Sequence, residues 1–187
     1  MDRDNITVAA ALGMTLAILA LGYLSFGVWT MLIFSSGFGV GLVLWMLSGR
    51  RQPEFSQIKW PFIIAFLLFI VHRIEEYATN FFDELARLTG TATPDIGSWQ
   101  VVLLVLLSVG GWIAMPFLVI HRIAFGYYLA WTAFAAMGIT ELAHFLVFPF
   151  LTGGPYGYFP GMASVIVLAP VAWWGMLRLA TGSTARP

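Results

Sequence analysis

Charged residues are absent from Asn5 through Gly49, a run of 45 positions filled mainly by Leu, Ala, Val, Gly and aromatic side chains. A ~30 Å hydrocarbon core is crossed by about 20 helical residues, so the run is long enough for two crossings. The small residues around Ser25 to Gly27 fall near its middle and predict a turn there, between helices over roughly 5–23 and 27–48. A secretory leader carries an apolar stretch of only about 7–15 residues before its cleavage site, so the opening predicts a membrane anchor instead.

Four further apolar stretches follow. They predict spans over roughly 61–80, with Pro61 in the first turn, and over roughly 99–120, 124–148 and 162–180. Between the third and fourth spans, Phe81 to Leu88 mixes Phe and Leu with Asp83, Glu84 and Arg87, which predicts a helix at the membrane interface stopped by Gly90. The run Gly153-Gly154-Pro155-Tyr156-Gly157-Tyr158-Phe159-Pro160-Gly161 breaks any helix and separates the last two spans. The pattern predicts an all-α integral membrane protein, a six-helix transmembrane bundle over residues 1–187 with no internal repeat.

Composition agrees with this reading and narrows the function classes. Apolar residues make up 60% of the chain and charged residues 10%, against about 25% charged in an ordinary soluble domain. Nine basic and nine acidic residues leave a formal net charge of zero, which excludes a basic nucleic-acid module. Cysteine is absent, so any metal must sit on His, Asp and Glu. Cytoplasmic loops collect Lys and Arg. Six spans with both termini cytoplasmic put Arg3, Arg50, Arg51, Lys59, Arg122, Arg178 and Arg186 inside and only Arg87 outside.

The chemistry lies in ionisable residues inside the spans. A charged side chain at the centre of a spanning helix costs roughly 2.5–3.5 kcal/mol, so each needs a partner or a purpose. The third span carries His72, Arg73, Glu75 and Glu76, and the fifth carries Glu141 and His144, both sets in the predicted outer half of the bilayer. At 100° per residue Glu75 stands about −60° and Glu76 about +40° from His72, so all three share a face, as do Glu141 and His144. Two parallel helices, one reading His then Glu and the other Glu then His, resemble the paired Glu-x-x-His helices of di-iron carboxylate bundles. Two imidazoles and three carboxylates suit zinc, manganese or iron. A structural polar network, a metal-free acid/base site and a proton- or ion-coupled transporter or binding protein are the competing readings.

Other features point elsewhere. His121 beside Arg122 reads as interfacial, Asp83 as part of a solvated rim, and Trp60 and Trp99 as interfacial anchors. Gly37, Gly39, Gly41, Gly110 and Gly111 read as small-residue surfaces for close helix contact.

His72-Arg73-Ile74-Glu75-Glu76-Tyr77 on an apolar helix, followed by His144 in a later span and by Tyr158-Phe159-Pro160-Gly161, resembles the HXXEE-motif bacterial integral membrane protein family over roughly residues 61–180. The resemblance implies a helical membrane protein with a metal or catalytic centre at His72, Glu75 and Glu76, and it implies no substrate. The roles expected from the residues are His72, Glu75, Glu141 and His144 as metal ligands, Glu76 as general base and Arg73 as a catalytic residue that balances charge or orients an anionic group. Tyr158 is expected as a donor on a lid over the site. With no soluble domain to capture a polar molecule, the expected substrate is lipid-like or otherwise membrane-soluble. Zinc would favour hydrolysis and iron oxidation, a metal-free isomerase or cyclase is the alternative, and homo-oligomers are compatible with this reading.

Overall fold

The computed structural model describes residues 3–48 and 51–183, and among these every regular element is helical. Helix runs through Arg3–Phe34, a π-helical turn at Ser35–Gly39 and Val40–Leu47, but Gly27 interrupts it with φ 81° and ψ −176°. That conformation is open essentially to glycine alone. The chain folds back there: a Cβ on Gly22 would come within 2.8 Å of the Phe34 ring, whereas one straight helix would separate the two residues by about 18 Å. The long uncharged run is therefore a hairpin of α1 (residues 3–26) and α2 (residues 28–47), turning where the sequence predicts.

The remaining helices are α3 (Phe55–Ala78), α4 (Phe81–Thr89), α5 (Trp99–Ile120), α6 (Ala124–Leu151) and α7 (Met162–Thr181). The α1–α2 stretch, α3, α5, α6 and α7 are long and apolar enough to cross a membrane, which makes this an integral membrane protein built as a helical bundle. The helix α4 is the expected interfacial element, capped by Gly90 at φ 68° and set off from α3 by Asn80 in the left-handed region. One span starts earlier than its composition suggests. Helix α3 begins at Phe55, so Pro61 is its seventh residue rather than part of its first turn, and its missing N–H leaves the Gln57 carbonyl without a helical donor.

Helix α6 is the axis of the bundle, with every residue from Gly126 to Gly138 buried. A helix apolar on all sides requires cover on all sides, and α2, α3, α5 and α7 supply it. On α2, Gly37 and Gly41 let backbone meet backbone: Cβ atoms there would lie 2.9 Å from the Ala136 Cα and 2.7 Å from the Thr132 Cα. Gly39 points away from this contact, as its Cβ would meet only Ser35 of its own helix.

Beyond Gly138 the regular α-helix of α6 ends. Ile139 (φ −120°, ψ −50°) leads into a 3-10 turn at Thr140–Leu142, followed by short helical pieces at Ala143–Leu146 and Phe148–Leu151. The sequence predicts one continuous helix over 124–148; the tertiary structure breaks it. A break inside an apolar bundle must satisfy the backbone groups it frees. Here the Trp173 indole N–H donates to the Gly138 carbonyl at 2.6 Å.

Among the described residues the basic side chains other than Arg73 divide between the two ends of the bundle. Arg51 and Arg122 tie the end that holds the 51–54 loop, by bonds to the Ala180 and Gln52 carbonyls, while Arg87 lies on α4 at the other end, paired with Glu84 at 2.5 Å. That pair holds the exposed Glu84 carboxyl below its ordinary pKa. Arg50 and Arg186 of the predicted cytoplasmic set, and the side chain of Arg3, lie outside the described residues.

The hairpin generates a test of the fold. Gly27→Ala forces a Cβ onto an almost glycine-only conformation and toward the Thr91 side chain, and is expected to cost about 1–3 kcal/mol. Thermal unfolding in detergent reads this. An unchanged melting temperature would mean that α1 and α2 form one continuous helix.

Candidate metal centre

Four buried side chains converge between α3 and the broken end of α6. His72 and Glu76 lie one helical turn apart on α3, and Glu141 and His144 lie three residues apart on α6. The 3-10 turn favours the second pair, since three residues per turn eclipse positions i and i+3. His72 Nε2 lies 3.1 Å from Glu141 Oε2 and 3.4 Å from Glu76 Oε1; His144 Nε2 lies 3.3 Å from Glu76 Oε1 and 3.4 Å from Glu141 Oε2. One ligand atom from each residue falls within 4.8 Å of all the others.

The outward ring nitrogens decide what those inward atoms are. His144 Nδ1–H donates to the Pro160 carbonyl at 2.5 Å, and a carbonyl can only accept. His72 Nδ1–H donates to Ser164 Oγ at 2.9 Å, and the Ser164 hydroxyl in turn donates to the Gly161 carbonyl at 3.2 Å. In neutral imidazoles both Nε2 atoms are then lone-pair atoms, aimed at carboxylate oxygens that are also acceptors. A cation at their centre, or a proton on each Nε2, is required to hold the four together. The geometry suits a cation. The four His–Glu separations of 3.1–3.4 Å, with all four ligand atoms within 4.8 Å of one another, are of the size that metal–ligand distances of ~2.0–2.2 Å impose on neighbouring ligands.

Arg73 completes the charge balance as the sequence predicts. Its guanidinium spans the far sides of the two carboxylates, 2.8 Å from Glu76 Oε2 and 2.8 Å from Glu141 Oε1, and stacks over the Phe69 ring at 4.8 Å. The Glu76 contact is an ion pair out of hydrogen-bond line, and neither Glu76 oxygen accepts a hydrogen bond among the described residues. Phe81, Phe148 and Phe159 surround the His144 ring, with centroids at 5.1, 5.3 and 6.0 Å, and close the α4 end of the cluster against water.

Three of the expected assignments change. Glu75 is not among the converging ligands. Its carboxylate turns from the cluster and accepts from the backbone N–H groups of Ala163 at 3.0 Å and Ser164 at 2.8 Å, and from the Tyr158 hydroxyl at 2.6 Å. It thus caps the N-terminus of α7, where free N–H groups and the helix dipole favour a negative charge. Glu76, expected as a base, instead occupies the ligand position. Tyr158 is 62% exposed and stands on Glu75 rather than over the cluster. Partial burial and the Glu75 carboxylate push its phenol up to about 12. Asp83 stays outside the four-residue group. His121 sits apart, exposed at the far end of α5, its ring nitrogen on the Phe117 carbonyl at 2.8 Å.

The residues that reading the spans alone leaves out are Ser164 and the backbone of Pro160 and Gly161. The Tyr158-Phe159-Pro160-Gly161 string is their only trace in the sequence. Gly161 adopts φ 92°, and a Cβ there would lie 2.6 Å from His144 Nδ1 and 2.8 Å from His72 Cε1, so glycine is what lets the chain pass over both rings.

A cavity of about 700 Å³ adjoins the cluster. Its wall is almost wholly aliphatic and aromatic, with Arg73, Glu76, Glu141 and His144 together at one place on it. Comparison of the chain with family models, curated proteins and solved structures finds no match.

The reassignment of Glu75 is testable. Glu75→Ala removes the acceptor for two helix N–H groups and is expected to destabilise the protein by about 0.5–2 kcal/mol, whereas Tyr158→Phe deletes one exposed hydroxyl and costs less. Melting temperatures in detergent rank the two, and the reverse order would remove the capping role.

Proposed function

We propose that this protein is a metal-dependent membrane enzyme in which His72, Glu76, Glu141 and His144 hold one divalent transition ion beside a lipid-like substrate. The observation that carries the reading is that three of those four side chains, Glu76, Glu141 and His144, stand on the wall of the apolar cavity. A polar cluster built only for stability gains nothing from facing such a space. The likeness of its residues to the HXXEE-motif family supports this reading, as does the excess of Lys and Arg in the loops opposite the cluster, which is what an outer-half site in a bacterial cytoplasmic membrane requires.

A divalent ion bound here would supply Lewis-acid polarisation of a substrate oxygen or, as iron, a redox centre that passes electrons from the substrate to dioxygen as the oxidant. Four protein ligands fill the shell of a tetrahedral zinc, whereas iron or manganese, taking five or six ligands, keeps positions open, so the reading favours the latter pair. The protein side chains do the rest. Arg73 offsets one of two buried negative charges, the bonds to Pro160 and Ser164 hold the imidazoles with Nε2 inward, and the Phe cage excludes water. Since Glu76 is a ligand in this arrangement, its loss affects the ion as well as turnover.

One observation favours a second reading. His–Glu separations of 3.1–3.4 Å also suit protonated imidazoles donating to the carboxylates, which is a metal-free acid/base site. Elemental analysis separates the two. Protein purified in detergent without chelator is expected to carry about one iron, manganese or zinc ion per chain. Glu76→Gln and His144→Ala are each expected to bring the content to background in protein that still elutes as one species, and Ser164→Ala to weaken metal affinity about 10–100-fold. Background metal in the unaltered protein would leave the acid/base site as the function.

A further inference from the structure

The cavity lies between α2, α3, α4, α5 and the broken end of α6, and the three irregular turns of the bundle border it. Phe38 comes from the π turn of α2, Ser108 and Val109 from the π turn of α5, and Thr140 and Glu141 from the 3-10 turn of α6. Helix α3 meets α5 along Gly111–Ile120, and the cavity occupies the space between their other halves. Along that gap the same side chains are both cavity wall and outer surface: Ile70 is 45% exposed, Ile74 62% and Val105 51%. Exposed aliphatic side chains on spanning helices face lipid. The opening is therefore sideways, into the bilayer.

Size and charge narrow what enters. At a water's share of ~30 Å³ per heavy atom, 700 Å³ takes on the order of 20 non-hydrogen atoms, which is one acyl or isoprenoid chain and far short of a two-chain phospholipid. Two carboxylates, one guanidinium and a divalent ion sum to a single positive charge where the wall turns polar, which complements an anionic head. Thr30 adds a polar point. It lies three residues past the Gly27 break, so the i−4 carbonyl that a helical Thr ordinarily takes is that of Phe26, on the other side of the turn. Its buried hydroxyl has no partner among the described residues although it stands on the cavity wall. A guest with oxygen atoms suits such a wall better than a pure hydrocarbon.

We propose that the cavity takes a single-chain amphiphile with an anionic oxygen head, its tail admitted through the gap between α3 and α5 and its head at the His/Glu cluster. The placement of the head rests on the metal reading above; the placement of the tail does not. The shared chemistry has two sources, a fatty carboxylate and an isoprenyl phosphate.

The test is binding of labelled palmitate to the metal-loaded protein in a sterol-based detergent, whose rigid bulk does not mimic a chain. Unlabelled palmitate and geranylgeranyl phosphate serve as competitors, and the tighter of the two identifies the source. Hexadecanol is expected to compete at least tenfold more weakly than palmitate, and dipalmitoyl phosphatidylglycerol at least tenfold more weakly than either anion. Val105→Trp, at the rim, is expected to weaken palmitate binding tenfold or more. Val102→Trp, equally exposed on the same helix but not on the wall, leaves it unchanged. Ile70→Trp on the α3 side of the rim repeats the test should Val105→Trp fail to fold. Equal competition by the two-chain lipid, or equal effects of the Val105 and Val102 variants, would overturn the proposal. If instead the metal reading alone fails, elemental analysis finds no ion, the protonated imidazoles carry the same positive charge, and palmitate still outcompetes hexadecanol while Val105→Trp still weakens its binding.

Discussion

Two carboxylates and two imidazoles are buried together in a bundle whose surroundings, inside and out, are apolar. Isolated charges there are costly, so each must be paired, and the pairing has to be built into the backbone. The structure meets that constraint from two sides. Arg73 neutralises the carboxylates from behind, and the segment Pro160 to Ser164 takes the outward nitrogens of both imidazoles. What is left pointing inward is a compact set of four donor atoms. The 3-10 turn of α6 and the turn at Gly161 serve to bring those atoms together.

The five residues from His72 to Glu76 show how economically this is done. His72 and Glu76, one turn apart, face the cluster, and Arg73 reaches past them to the Glu141 carboxylate on α6. Glu75, turned the other way, grips the N–H groups at the start of α7. That grip positions Ser164, and through the turn at Gly161 the Pro160 carbonyl, against the two rings. A single turn of α3 thus organises α6 and α7 around itself. Local irregularity accompanies it: the 3-10 turn of α6 and the left-handed Gly161 both depart from regular helix, and both bear on the imidazoles or their neighbours.

Function follows from where the polar cluster is exposed. Its α4 end is stoppered by Phe81, Phe148 and Phe159, and its free side is a cavity with apolar walls. Such walls disfavour water and suit the chain-like guest proposed above. A site with strong, fixed electrostatics beside a dry space is the arrangement in which an ion and a few oriented dipoles act most strongly on a substrate. That is the physical basis for reading the cluster as a reaction centre rather than as a structural clasp.

The spans were legible in the sequence because crossing a membrane imposes a length and a near absence of charge that no packing detail can override. The hairpin at Gly27, the interfacial helix ended by Gly90 and the loop to Gly161 were legible for a related reason: helix-breaking chemistry is local. The pairing of His72 with Glu141 and His144 could be read as well, since ionisable side chains in apolar spans must find one another. The choice between Glu75 and Glu76 could not. Both lie within about 60° of His72 on an ideal helix, so angle alone does not separate them. The decision was made by α7, whose first N–H groups needed an acceptor, and by Arg73, which drew Glu76 inward. The break in α6, the early start of α3 and the cavity with its gap toward the bilayer were likewise hidden. Each depends on which helices lie side by side and how closely, and that is a property of the packed bundle that hydropathy along a single chain does not encode.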